Sequence, residues 1–325
     1  MLQQKEKSVN TTLDIMKFVF AILVVGIHTE PFGFNVWLDR GFGIITKLCV
    51  PFFFIAGAYF FWIKEKSALK YIKRILLLYV IWSLIYLPFD IKSLSNMSVW
   101  GIIRLFFWYG NTHALWYLWG TIIGFLMTFL LLKFLKPKTV LVIAFVFLLI
   151  GCIKSTWFPI FKDIFVNSQP DFYGSRNGLF YAFPYTALGM NIAKSQNKGK
   201  TDNIKKLTLG LIISTIALVI ESLVFIVIFK TTITVIWLSV FPMAYFAFML
   251  GNNITVNCRQ NIALYLRKMS TLIFVSQYLF ISLYSGFGIH NMLLFLLSAL
   301  SAAVFSICII TLSNLKYFKW LKYLY

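Results

Sequence analysis

One apolar run of membrane length, LDIMKFVFAILVVGIHTE from Leu13 to Glu30, carries a lysine near one end and a histidine near the other. Eleven residues separate Lys17 from His28, about three whole helical turns and about 16 Å of rise, so the two share one face. Asp14 joins that face. Ionisable groups within a bilayer are costly and turn toward a protein interior or an aqueous cavity rather than toward lipid. This first helix therefore predicts a polar path, and an anchor in lipid would not need one.

Further apolar runs follow along the whole chain. Of its 325 residues, 60% are hydrophobic and 12% charged, a balance that excludes a soluble globular fold. The first run is too long, and lacks a small-residue cleavage site, to be a removable signal peptide. The spacing predicts an all-α, polytopic membrane protein of about ten transmembrane helices, at 13–30, 42–63, 75–89, 113–135, 139–157, 177–193, 207–229, 231–250, 269–286 and 292–315. Residues 1–325 then form a single integral membrane domain with no soluble domain. Thr11, three residues before Asp14, predicts a capping box at the start of the first helix. VWGIIRLFFW, before His113, is too short to span and predicts an interfacial or re-entrant piece.

The net charge of +20 would suggest nucleic acid in a soluble protein. Here the basic residues sort by side. Twenty-one of the 30 Lys and Arg fall in the termini and alternate loops, eight at the opposite ends, and Lys17 is the remaining one. The positive-inside rule then places both termini in the cytoplasm and excludes nucleic acid as a partner. The same topology puts His28, His113 and His290 at the outer face.

Chemistry is sparse. Cys49, Cys152, Cys258 and Cys308 have no CxxC or His-rich spacing, which predicts small buried apolar residues and no metal site. P-loop, HExxH, GxSxG and paired glycosidase-like carboxylates are absent, leaving a histidine as the candidate general base. His28 stands out because Lys17 lies on its helix, although Lys17 also suits a snorkelling partner of Asp14. Glu221, deep in its helix, predicts a charged lining paired with Arg176, as a structural brace or a ligand contact. The basic turn at 64–74 is either a topology signal or a phosphate site for a nucleotide-like donor. Trp116, Tyr117 and Trp119 form either an interface belt or a stacking floor.

Four segments together resemble the acyltransferase-3 family of integral membrane acyltransferases: Lys17 to His28, VPFFFIAGAYF at 50–60, HALWYLW at 113–119 and RNGLFYAFPYTALG at 176–189. RNGLF, the IES around Glu221 and LLLYVIWSLIYLP at 76–88 are similar to the membrane domain of vancomycin-resistance serine racemases and their single-domain Gram-positive relatives.

The resemblance implies a bacterial plasma-membrane O-acyltransferase, with acyl-CoA, commonly acetyl-CoA, as donor and no metal. The acceptor would be a hydroxyl of a cell-envelope glycan or a similar small molecule. His28 would be the base, and Lys17 would hold the donor or the catalytic geometry. Lys70, Lys73 and Arg74 would receive the CoA phosphates. His113, Trp116, Tyr117, Arg176, Asn177, Glu221 and Gln277 would line the acceptor site or brace it. Lys17 stands where the family usually has Arg, and Gln277-Tyr278 where relatives commonly show His-Pro. These departures, with the racemase-linked branch, keep a second expectation open: an uptake module that holds a zwitterion such as serine between Arg176 and Glu221. The pattern fixes no oligomeric state.

Overall fold

The computed structural model describes residues 10–64, 67–111, 113–162, 172–195, 203–230 and 235–325. The long helices are α1 (Thr11–Thr29), α2 (Val36–Thr46), α3 (Cys49–Ile63), α4 (Ala68–Leu94), α5 (Val99–Arg104, continued by a π turn to Tyr109), α6 (Trp116–Phe134) and α7 (Pro137–Lys154). After the short α8 (Phe158–Phe161) and α9 (Phe172–Ser175) come α10 (Phe183–Ser195), α11 (Ile204–Leu223), α12 (Val240–Asn253), α13 (Gln260–Gly286) and α14 (Asn291–Leu312). A 3₁₀ segment, Lys316–Leu324, follows α14. No strand occurs among the described residues.

Eight helical stretches among the described residues are long and apolar enough to cross a membrane, α2 and α3 counting as one. The other two of the ten expected spans are α10, which a π-helical stretch at Gly178–Ala182 leads into, so that helix runs over the span expected at 177–193, and α12, of 14 residues. Every residue from Tyr181 to Met190 is buried, so α10 has protein rather than lipid around it and no bilayer thickness to match. Buried share separates an inner set from an outer one. It is 61% in the best window of Val36–Ile63 and 50% in Gln260–Gly286, against 22% in both Ala68–Leu94 and Ile204–Ile228. The exposed Leu84 and Ile216 belong to that outer set, where apolar side chains meet lipid.

Several boundaries differ from the sequence expectation, each for a local reason. Asn10, not Thr11, caps α1, its side chain accepting from the Leu13 amide at 3.0 Å, while the Thr12 hydroxyl donates to the Ile254 carbonyl at 2.6 Å. The second span starts early, because the Asn35 side chain caps α2 at the Trp37 and Leu38 amides. It then breaks at Lys47 and Leu48, since Pro51 has no N–H to return to the carbonyl of Lys47. Lys70, Lys73 and Arg74 lie in the opening turns of α4 rather than in a loop.

Likewise α13 starts at Gln260, so Arg267 lies within the helix. The eighth span begins later than expected, at Val240; residues 235–239 are not helical, and 231–234 lie outside the described residues. The same is true of Lys5, Lys7 and Lys66, of 163–171 in the loop expected after Pro159, and of 196–202 in the loop after α10. Cys49 and Cys152 are buried as expected, but Cys308 is exposed on the outer surface of α14.

Close approach fixes the inner set. A Cβ on Gly189 of α10 would lie 2.3 Å from the carbonyl oxygen of Ile55 on α3. Backbone cannot yield there as a side chain could. Gly189→Ala is therefore expected to destabilise the protein by about 1–3 kcal/mol, read as a lower thermal midpoint in detergent. Gly41→Ala, at an exposed position inside α2 where a Cβ would meet nothing within 4 Å, is expected to raise the midpoint slightly, alanine being the better helix former.

Candidate functional site

The helix stripe that carries Asp14, Lys17 and His28 faces α13, and α1 and α13 run parallel. At the end where α1 begins, here the proximal end, the Asp14 carboxylate is wholly buried. Arg267 of α13 grips it twice, Nε donating to Oδ1 at 2.8 Å and Nη2 to Oδ2. Lys17 Nζ reaches the same Oδ1 at 3.4 Å. The Lys17 ammonium also lies 4.2 Å from the centre of the Phe60 ring, with Lys64 at 5.6 Å and Arg267 at 5.9 Å. Three cations around one aromatic face suit its negative quadrupole.

This cluster forms one wall of a cavity of about 250 Å³. Lys17, Lys64, Arg74 and Arg267 line it, with the hydroxyl-bearing Tyr71, Ser270 and Thr271. Four cations against the single carboxylate of Asp14 leave the cavity positive, a setting for an anionic group such as a phosphate. Lys70 and Lys73 are exposed and do not line it, whereas Arg74 does. Nothing in the sequence around Arg267 points to Asp14, because this arginine reads as one more charge of the loop before the span expected at 269–286. The signal was available: Asp14, on a buried stripe, needs more than one flexible lysine to offset its desolvation.

At the opposite, distal end a second cavity of about 270 Å³ is lined by His28, Glu30, Asp39, Lys47, Trp116 and Arg176, among others. His28 Nδ1 lies 2.8 Å from the hydroxyl of Tyr278. A base acting through Nε2 requires the tautomer in which Nδ1–H donates to that oxygen. Tyr278 occupies the position at which the sequence departs from His-Pro, and its ring also meets His113 edge-on at 5.2 Å. His113 itself lies outside the cavity lining, its Nε2 2.9 Å from Asp90 Oδ1 and its ring stacked at 4.7 Å on Tyr86. A left-handed stretch, with φ of 77° at Gly110, 69° at Asn111, 54° at His113 and 64° at Ala114, sets that ring ahead of α6. Such conformations are costly for residues other than glycine, and here they delay the helix from His113 to Trp116.

Arg176 holds its guanidinium 4.8 Å over the Trp116 ring. Next to it, Asn177 braces the chain: its side-chain oxygen accepts from the Leu179 and Phe180 amides at 2.9 and 3.0 Å, and its nitrogen donates to the Gly174 carbonyl at 2.6 Å. Glu221 lies outside both cavity linings, and Arg176 is not its partner. Trp157 Nε1 and the Leu238 amide donate to its Oε1 at 2.9 and 3.1 Å, and the Ser239 amide to its Oε2 at 2.9 Å. A carboxylate at the free N–H groups ahead of α12 is favoured by the helix dipole. Gln277 is fully buried and donates to the Phe274 carbonyl of its own helix, so it too lies outside both linings. Tyr117 lines the proximal cavity and Trp116 the distal one.

Phe274 lines both cavities. They therefore lie end to end, a cationic chamber and a chamber with an imidazole, separated by aromatic side chains. Among the described residues no group of three His, Cys, Asp or Glu could hold a metal ion.

Comparison with known proteins agrees with this architecture. The sequence model described as an acyltransferase domain, of the acyltransferase-3 family, matches residues 10–314. Among curated proteins, an amino-acid racemase of Enterococcus faecalis is 28% identical over 212 residues, 59% of this chain and 29% of its own. A serine/alanine racemase of Enterococcus gallinarum is 27% identical over 236 residues, 66% of this chain and 33% of its own. The chain thus spans about a third of the length of these relatives. No solved structure matches it.

Removing the Glu221 carboxylate would leave three N–H donors unanswered in a mostly apolar setting. Glu221→Ala is expected to lower stability by at least about 1–3 kcal/mol, measured by thermal unfolding. Glu221→Gln, which keeps one acceptor oxygen, should fall between that variant and the parent.

Proposed function

Because the chain belongs to the acyltransferase-3 family, we propose that it is a bacterial plasma-membrane O-acyltransferase that moves an acyl group, acetyl in the simplest case, from CoA to a hydroxyl. The acceptor is a cell-envelope carbohydrate or a similar small molecule. One observation carries this reading: the cationic cavity and the His28 cavity meet at Phe274. The distribution of Lys and Arg supports a cytoplasmic proximal end, where acyl-CoA is available, and an outward-facing distal end.

On this reading the donor's phosphates lie among Lys64, Arg74 and Arg267, and its thioester points inward. His28 Nε2 accepts the proton of the acceptor hydroxyl as the oxygen attacks the thioester carbonyl. The carbon–sulfur bond breaks, the CoA thiolate leaves, and the proton held by His28 is returned to it through solvent, giving an ester and CoA thiol. Tyr278 holds the imidazole in the tautomer this needs. Lys17, about 16 Å along α1 from His28, is too far away to act on the same carbonyl. With Arg267 it balances the Asp14 charge and presents an ammonium to the donor cavity.

A second reading has its own observation. Glu30 and Asp39 line the distal cavity beside Lys47 and Arg176, opposite charges that suit a small zwitterion such as serine. A carrier of that kind would use those carboxylates, since Glu221 is occupied with α12. In proteoliposomes, acetyl-CoA consumption that depends on an added hydroxyl compound favours the enzyme. Serine flux without CoA favours the carrier.

His28→Ala is expected to insert normally and leave envelope polymers unacylated, a loss of about 10² to 10⁴-fold in rate, checked by mass spectrometry. Retained acylation would remove His28 from the mechanism. For the donor, Arg74→Ala should weaken CoA binding measured by calorimetry, while Lys70→Ala, on the exposed side of α4, should leave it nearly unchanged.

A further inference from the structure

The partition between the two cavities is a closed triangle of rings contributed by three helices. Phe53 of α3, Tyr117 of α6 and Phe274 of α13 meet edge-on in every pair, with centroids 6.0 Å apart for Phe53–Tyr117, 6.0 Å for Phe53–Phe274 and 5.0 Å for Tyr117–Phe274. Phe54 supports Tyr117 from behind at 4.7 Å. The partition is thin. On α3, Val50 lines the distal cavity and Phe53, one turn along, the proximal one, a separation of about 4.5 Å. On α6 the change comes between consecutive residues, Trp116 and Tyr117.

The proximal cavity also changes character along its depth. Along α3 the lining runs from Phe53 in the partition through Ala56 and Gly57 to Phe60 and Lys64, and Arg267 meets the same Phe60 ring as Lys64. A ligand that fills it has an anionic head and a short apolar tip, and the tip ends on the ring of Phe274. Ala56 and Gly57, the smallest residues of the lining, stand about one turn from Phe53, and the three rings close the space beyond them. Phe274 is the only one of the three rings that borders both chambers. It is therefore the ring that must turn aside for a carbonyl seated beneath the partition to come within reach of His28.

Building on the donor reading above, we infer that Phe274, with Phe53 and Tyr117, selects the acyl group by size, admitting a two-carbon acyl and turning away longer chains. The partition acts on the donor's tip and leaves the phosphate contacts untouched. Discrimination by a tight apolar pocket is worth about 10-fold or more per methylene. Chain length should therefore dominate over any change in affinity for CoA itself.

The test is calorimetric binding of CoA, acetyl-CoA, butyryl-CoA and octanoyl-CoA to the full chain in lipid nanodiscs, for the parent, Phe274→Ala and Phe274→Leu. The expected result is that the parent binds CoA and acetyl-CoA comparably and octanoyl-CoA at least about tenfold more weakly. Phe274→Ala should reverse that order with unchanged CoA affinity. Phe274→Leu, which keeps an apolar side chain in the core and should fold where alanine does not, is expected to relax it in part. If CoA binds the parent but the order of chain lengths is the same in a folded variant, the selector is overturned and the donor site stands. If CoA does not bind the parent at all, the donor reading falls and the selector with it.

Discussion

A wholly buried carboxylate, Asp14, sets the register of the molecule. Its charge would be prohibitive alone, and removing one partner from a buried ion pair typically costs about 3–5 kcal/mol, so Arg267 and Lys17 are bound to it as tightly as it is to them. Because Arg267 belongs to α13, the pair locks α1 and α13 side by side at one end. At the other end the same two helices are joined by His28 and Tyr278. The cationic cavity adjoins the first tie, the imidazole is part of the second, and the aromatic partition lies between them, all positioned by two helices that cannot slide past one another without breaking both ties.

Charged and polar side chains divide into those that hold and those that line. Asp14, Glu221 and Asn177 hold: each accepts from donors of another element or of the turn that follows it. Arg74, Lys64, Lys47 and Arg176 line the two cavities, and Lys64, Lys47 and Arg176 also rest against aromatic rings. Lys17 and Arg267 do both, since they hold Asp14 and line the proximal cavity.

Much of the scaffold was legible from periodicity alone, since apolar runs of membrane length have only one backbone solution when closed barrels are excluded. The first helix gave its stripe, and Lys17, His28 and Asp14 do lie together along α13. Three things were hidden for a common reason. Arg267 as the partner of Asp14, Tyr278 as the partner of His28, and the amides ahead of α12 as the partners of Glu221 are pairings between segments far apart in sequence, which no local pattern encodes. Glu221 illustrates the limit well. Its depth in an apolar helix announced that something must satisfy it, and a cation was the natural guess, but backbone N–H groups at a helix start serve equally well and leave no compositional trace. The burial of α10 was hidden differently, because its apolar run gave no sign that protein rather than lipid surrounds it.

The two ties between α1 and α13 make the first helix a measuring rod. What lies between Asp14 and His28 is a length and an angle, so the intervening apolar side chains can be exchanged for others of similar bulk while the count of residues cannot change. A single residue inserted there would swing His28 by about 100° around the axis, away from Tyr278 and out of its chamber, although every other residue of the chain were left as it is. Two cavities that lie end to end are in this way kept in proportion by the pitch of one helix.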